Sequence, residues 1–157
     1  MRSFARFAVA LLAAAGAAAC TLEPPLAPAP DIETATFATA LGVDLSKMTK
    51  TASGLYYQDI TAGGGSIAAT GNRVTVHYTG YLTNGTVFDT SIGKIPFGFT
   101  LGSQEVIKGW DEGMVGARVG GTRRLVIPPA LAYGPGSVGQ IPPNAILVFN
   151  VQLISIP

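Results

Sequence analysis

The chain has 157 residues, 48% of them hydrophobic, with 20 glycines and 11 prolines: enough for one domain with a core, and for many turns. Its formal charge is +1, and without Arg2 and Arg6 it holds 8 basic (10 − 2) against 9 acidic residues, so neither nucleic acid nor a cationic partner is advertised. A single cysteine excludes an intramolecular disulfide and a cysteine-based metal cluster.

Met1 to Arg6 carries two arginines, and Phe7 to Ala19 is an unbroken apolar run closing on Gly16-Ala-Ala-Ala19. That is the layout of a secretory signal over residues 1–19, and the run is too short for a comfortable membrane span. Cys20 follows at once, and the stretch resembles a bacterial lipoprotein signal, in which this cysteine is lipidated and becomes the mature N-terminus. Ala17 stands where that pattern prefers leucine, and Ala17, Ala18 and Ala19 also suit an ordinary small-residue cleavage site. The expectation is an exported protein of the periplasm or cell envelope, held at a membrane only through a lipid on Cys20. Pro24, Pro25, Pro28 and Pro30 then make a semi-extended spacer. Between Asp31 and Lys50, Ile32, Phe37 and Leu41 could line one side of a short helix, but Thr34, Thr36, Thr39 and Gly42 argue against a stable one. Residues 20–50 are therefore expected to be linker and a loosely packed arm, with the domain proper at 51–157.

From Gly54 the pattern is that of β-structure. Leu55–Ile60 reads as a strand ended by Gly63, Gly64 and Gly65. Arg73–Tyr81 alternates, with Val74, Val76 and Tyr78 on one face and Thr75, His77 and Thr79 on the other. Asn84-Gly85 predicts a tight turn, so Thr86–Asp89 returns as the next strand. Phe97–Leu101, Gly121–Ile127 and Ala145–Ile154 are further strands, the last placing Leu147, Phe149, Val151 and Leu153 on one face. Between them, Gly109, Gly113 and Gly116 allow only a short helix around the lone tryptophan, Trp110. The fold class predicted is α+β, an antiparallel sheet with one face covered by that helix.

Chemistry is constrained first by what is missing. No phosphate-binding glycine loop is present, and one histidine, His77, cannot build a multi-histidine metal site. His77 reads as a partly exposed strand residue, Arg123 and Arg124 as solvated charges. Asp111 and Glu112 read as acids favoured by the start of a helix. What remains is an apolar and aromatic set in loops and at strand ends: Tyr78, Phe88, Phe97, Val106, Ile107, Trp110, Tyr133, Ile141 and Phe149, with Asp89 beside Phe88. Trp110 is either a core anchor or the floor of a pocket. Taken together, the set describes an aromatic-lined pocket with few polar groups.

Val76-His-Tyr-Thr-Gly80, Val87-Phe-Asp89, Leu101-Gly102 with Glu105-Val-Ile-Lys-Gly-Trp110, Ala132-Tyr-Gly134, and Ile141-Pro-Pro-Asn144 with Leu147-Val-Phe149 stand in the order of a known family. The stretch from Gly54 to Pro157 resembles the FKBP-type peptidyl-prolyl isomerases. The resemblance implies a bent antiparallel sheet wrapped around one short helix, with the site between them. It implies Trp110 as pocket floor, and Tyr78, Phe88, Phe97, Val106, Ile107, Ile141 and Phe149 as walls. The Ile107 N–H and the Tyr133 hydroxyl would hold substrate carbonyls, and Asp89 would shape the field. It further implies rotation of X–Pro bonds in proline-containing polypeptides without cofactor or metal, and macrolide inhibitors such as rapamycin as ligands. A non-catalytic module gripping proline-containing segments is the alternative. Two departures stand out: the Thr90–Pro96 loop is short and lacks an arginine facing Asp89, leaving Tyr78 or Lys94 for that role. The Gly134–Gln140 loop is also short, with Gln140 in place of an apolar residue. No heptad or long helical arm argues for a dimer, so a monomer is expected.

Overall fold

The computed structural model describes residues 28–157, so the expected signal at 1–19 and Cys20 lie outside the described residues. Seven strands form one antiparallel sheet: β1 (Thr49–Lys50), β2 (Tyr56–Thr61), β3 (Arg73–Leu82), β4 (Val87–Thr90), β5 (Phe97–Thr100), β6 (Thr122–Ile127) and β7 (Leu147–Ser155). Their order is β1-β2-β6-β7-β3-β4, with β5 also paired to β3. The Asn84-Gly85 turn joins β3 to β4 as its dipeptide predicts, with Gly85 at φ 90° and Asn84 Oδ1 accepting the Thr86 N–H at 2.9 Å.

β3 changes neighbours along its length. Arg73 to Val76 pair with β5, whereas Thr79 to Tyr81 pair with β4. Ser91 closes the gap between them: its hydroxyl accepts the Tyr78 N–H at 2.9 Å, and its own N–H donates to the Tyr78 carbonyl at 3.0 Å. It also meets His77 Nδ1 at 3.0 Å, on the side of β3 away from Val74 and Val76. His77 is therefore the half-exposed strand residue that the alternation predicts.

The one α-helix among the described residues, α1 (Lys108–Gly113), lies on one face of the sheet. Trp110 and Met114 are buried there among Leu55, Val74, Val76, Phe99, Leu125, Ile127, Leu147 and Phe149. Six residues are too few for such a helix to stand alone, so packing holds it. Its glycines permit that packing. A methyl group on Gly109 would sit 2.5 Å from Ile127 Cγ2, and one on Gly113 would sit 2.6 Å from Leu125 Cδ2.

Two expectations need correction. The opposite face of the sheet is also covered, because strand side chains alternate and the even-numbered neighbours Tyr56, Val126 and Val148 are buried too. They pack under Ile32 and Leu41, 3% and 5% exposed, from a segment that forms two 3₁₀ turns, Thr39–Leu41 and Leu45–Lys47, rather than a helix. The segment before Thr51 is thus not a loose arm: it builds a second core, and its end is β1. Nor are the two arginines merely solvated. Arg123, 5% exposed, donates two hydrogen bonds to the Asp59 carboxylate (2.6 and 2.9 Å) and one each to the carbonyls of Gly113 and Val115 at 3.0 and 2.9 Å. Arg124, on the other face, reaches Asn150 Oδ1 at 3.0 Å and the Gly42 carbonyl at 2.5 Å.

Candidate functional site

Between α1, the β3–β4–β5 edge and the loop before the helix lies an open cavity of about 450 Å³. Its lining is Tyr78, Phe88, Asp89, Phe97, Gln104, Glu105, Val106, Ile107, Trp110, Tyr133 and Phe149. The sequence separates these residues by as much as 71 positions (149 − 78), and antiparallel pairing brings them together. A cleft of this size with aromatic walls and few polar groups suits a small apolar unit of a larger ligand.

Trp110 lies at its base. Tyr78 and Phe149 meet the indole edge-on at centroid distances of 5.1 and 5.3 Å, and Phe99 tilts against it at 5.6 Å. Such edge contacts fix ring orientation as well as burying area. The indole is 4% exposed, and its Nε1 is the buried side-chain donor without a partner among the described residues. The two readings of Trp110 are therefore not exclusive: it is a core residue whose upper edge faces the cavity. Phe88 stands edge-to-face on Phe149 at 5.5 Å. Gly80 makes this pair possible, since a methyl group there would lie 2.6 Å from Phe88 Cζ and 2.7 Å from Phe149 Cε1.

The polar side chains are few, and two of them, Tyr78 and Asp89, pair with each other. The Tyr78 hydroxyl donates to Asp89 Oδ2 at 2.5 Å, and the Thr90 N–H donates to Asp89 Oδ1 at 2.8 Å. Tyr78, not Lys94, thus faces the carboxylate. Lys94 makes no ion pair among the described residues. Burial, then the hydrogen bond and charge of Asp89, push the Tyr78 phenol up to about 12. Burial and then the Asp89 charge raise Tyr133 as well. Both phenols are protonated donors at neutral pH, and the carboxylate is an acceptor whose two oxygens are already engaged.

Comparison with known proteins places this arrangement. The family described as FKBP-type peptidyl-prolyl cis-trans isomerase matches residues 64–154. The chain belongs to the FKBP family. An FK506-binding protein of Neisseria meningitidis serogroup B is 49% identical over 105 residues, which are 66% of this chain and 96% of that protein. FK506-binding protein 4 of Rhizopus delemar is 51% identical over 110 residues, 69% of this chain but 29% of that protein, so this chain spans about three tenths of such longer relatives. Among solved structures, FkpA from Escherichia coli aligns at 42% identity with a TM-score of 0.64, covering 70% of this chain and 51% of FkpA. AtFKBP13 aligns at 39% identity with a TM-score of 0.65, covering 70% of this chain and 98% of AtFKBP13.

Within this FKBP site, ten of the eleven lining side chains come from three stretches, Tyr78–Phe97, Gln104–Trp110 and Phe149, and Tyr133 is the eleventh. Ile141 is the one wall residue placed elsewhere. It is 5% exposed and lines an adjacent recess with Val138, Gly139 and Gln140, sharing Phe88, Asp89 and Tyr133 with the main cavity. Ile107 precedes the helix with no side-chain cap, and its N–H donates no hydrogen bond among the described residues. Gln104 and Glu105 were not evident as lining. They are set by Asp111, whose carboxylate accepts the N–H groups of Gly102 at 2.8 Å and Gln104 at 3.0 Å. Gln104 is thereby held at φ 62°, a conformation uncommon outside glycine. Asp111 is thus more than an acid at a helix start: it fastens the loop that carries one side of the site. Only the Leu101–Trp110 motif hinted at this, and a carboxylate nine residues from its partner gives no periodic signal.

Proposed function

We propose that this FKBP chain is a peptidyl-prolyl cis-trans isomerase, exported and tethered through a lipid on Cys20, that assists protein folding in the cell envelope. The observation that carries the catalytic reading is the cavity itself, with aromatic walls over Trp110 and two protonated phenols at the rim. An amide resists rotation by roughly 18–20 kcal/mol because resonance makes its C–N bond partly double. The twisted X–Pro bond loses that resonance and its charge separation, so it is less polar than the planar ground state. A dry aromatic cleft shaped to the twisted form binds it better, and that difference is the catalysis. Nothing in the rotation calls for a nucleophile or a metal. The Ile107 N–H and the Tyr133 hydroxyl hold flanking carbonyls, Asp89 holds Tyr78 in place, and Ile141 supports the wall from behind. Proline-containing polypeptides are the substrates, and rapamycin-like macrolides are the inhibitors of the same cleft.

The test is a protease-coupled isomerisation assay on a short Leu-Pro or Phe-Pro peptide. Acceleration that survives chelator is expected. Saturable binding of a proline peptide without acceleration, by a well-folded protein, would make this a gripping module instead. For the tether, Cys20→Ala should release the protein into the soluble envelope fraction. A wild-type protein already soluble, with an unmodified cysteine by mass spectrometry, would defeat the lipid anchor.

A further inference from the structure

The charges around the cavity are one-sided. Asp89 lines it from β4 and Glu105 from the loop before α1, and no lysine, arginine or histidine among the described residues joins them. Elsewhere carboxylates meet cations: Asp44 pairs with Lys47, Glu33 with Lys50 and Asp59 with Arg123. Neither cleft carboxylate has such a partner among the described residues. Asp89 is held by the Tyr78 hydroxyl and the Thr90 N–H, and Glu105 by the Ser103 hydroxyl at 3.0 Å and the Thr100 N–H at 3.3 Å. All four donors are neutral, so they orient the carboxylates without cancelling their charge. The bonds from Ser103 and Thr100, with a smaller influence from the charge of Arg73, hold the Glu105 carboxyl below the usual glutamate range. The Asp89 charge reaches Tyr133, whose phenol is raised by burial first and by that carboxylate second. The Thr90–Pro96 loop offers only Lys94 as a cation, and Lys94 does not line the cavity. Aromatic walls of low dielectric focus a field of one sign into an open cleft.

Building on the isomerase reading, we infer that the cleft selects its substrates by charge: an X–Pro segment with a lysine or arginine beside the proline is preferred to a neutral one, and an acidic one is disfavoured. Asp89 and Glu105 are the residues that determine this preference, while the floor over Trp110 takes the proline ring whatever its neighbours carry. Rotation of the amide leaves the flanking charge where it is, so the planar and twisted forms gain alike. The preference therefore falls on KM and leaves kcat nearly unchanged. Through water, one carboxylate about 7 Å away alters affinity for a unit charge roughly two- to threefold at low salt. Two carboxylates, and a lysine-to-glutamate swap that reverses the sign, multiply to a difference of roughly thirtyfold.

The experiment uses the full chain and tetrapeptides acetyl-Ala-Xaa-Pro-Phe-amide, in which Xaa is lysine, acetyl-lysine, glutamine or glutamate, so that side chains of similar shape differ in charge. Exchange between cis and trans is read directly by NMR, because a coupling protease would add a preference of its own. Expected is a kcat/KM that falls from lysine through the two neutral peptides to glutamate, with kcat constant within about twofold. The lysine-to-glutamate ratio should be about thirtyfold at about 20 mM salt and collapse to about threefold at about 0.5 M. Glu105→Gln, checked for folding by circular dichroism, should cut that ratio about fivefold, and Asp89→Asn should do the same. A ratio near one in the wild type, a preference for glutamate, or a ratio indifferent to both salt and Glu105→Gln would overturn the inference. The salt series needs the wild type alone, so it decides even where a variant folds poorly. Failure to accelerate any peptide, the neutral ones included, would remove the isomerase reading instead. Kd values from Trp110 emission would then decide the charge preference, which equal Kd for the lysine and glutamate peptides would defeat.

Discussion

Gly109→Ala separates two views of the glycines around Trp110. By helix propensity alone the change should stabilise α1 by about 1 kcal/mol. The structure argues the reverse, since the new methyl would lie 2.5 Å from Ile127 Cγ2, 2.8 Å from Cδ1 and 3.0 Å from Cγ1. Carbon atoms at ease sit about 3.5–4.0 Å apart, so the nearest contact is short by roughly 1 Å. Ile127 has little freedom to yield: it is fully buried, β-branched, and paired to Leu147 across β6 and β7. Overpacking of this kind costs about 1–3 kcal/mol, leaving a net destabilisation of about 0–2 kcal/mol after the propensity gain. If the helix lifts instead, Trp110 leaves its seat under Tyr78 and Phe149, and turnover falls further than stability does. Urea unfolding with the peptide assay reads both quantities. In a double-mutant cycle, Ile127→Ala costs about 2–5 kcal/mol alone. It should make Gly109→Ala milder by about 1–3 kcal/mol, since the opposing atoms are gone. A Gly109→Ala protein more stable than wild type with undiminished turnover would refute the close-approach argument.

Asp89→Asn should lower turnover without abolishing it and leave the rate flat from about pH 6 to 8, because the carboxylate is an acceptor and not a proton carrier; a bell-shaped profile tied to Asp89 would indicate acid–base catalysis. Tyr78, raised to about 12, favours the folded state fully below the ordinary tyrosine range near 10, and that contribution drains as pH climbs through 12. Tyrosinate absorbance should therefore show a late-titrating phenol, which Asp89→Asn moves only part-way back, since burial is the larger cause. Trp110→Leu should fold but bind and turn over poorly, while the lone wild-type indole should report rapamycin by a saturable change in emission. Emission indifferent to ligand, with wild-type turnover in a folded Trp110→Leu variant, would take this residue out of the site. Arg123→Ala should cost about 2–4 kcal/mol in chemical denaturation, as it strips partners from two carbonyls and from Asp59. A loss under about 0.5 kcal/mol would return Arg123 to the status of an ordinary surface charge.

The strands were legible because alternation in Arg73–Tyr81 and the Asn84-Gly85 turn are local signals, and the cavity was legible because its aromatic residues sit in blocks typical of a family. Other features depend on partners far away in sequence. Arg123 and Arg124 look alike as neighbours, and their strand continues into Leu125-Val-Ile127, where consecutive apolar residues hide which face is inside. Burial on both faces is the reason for that run, and the same holds for Leu147-Val-Phe149. Only the register that sets Arg123 opposite Asp59 reveals a buried ion pair. The arm was misjudged for a related reason: 3₁₀ turns of three residues carry no helical period, so Ile32 and Leu41 resembled scattered apolar residues. The motif places Ile141 in the cavity wall, whereas the fold puts it in the neighbouring recess with Val138 and Gln140.

The arm also bears on how firmly the site is held. The Ala38 N–H donates to the Thr83 carbonyl at 2.8 Å, and Tyr81 packs into the core beneath the arm, so the β3–β4 hairpin is fastened from the outer face. On the inner face the same hairpin is fixed by Phe88 and Phe149 against Gly80. Asp89 lies on that hairpin, and its 2.5 Å bond to Tyr78 requires β3 and β4 to keep their register. The adjacent arginines extend the same arrangement to β6: Arg123 ties the helix end to the sheet, while Arg124 ties the arm to it through Gly42. A cleft that works by shape rather than by a reactive group depends on placement to within fractions of an ångström. Layers pressed on the sheet from both sides supply that placement, which is why residues far from the cavity belong to its chemistry.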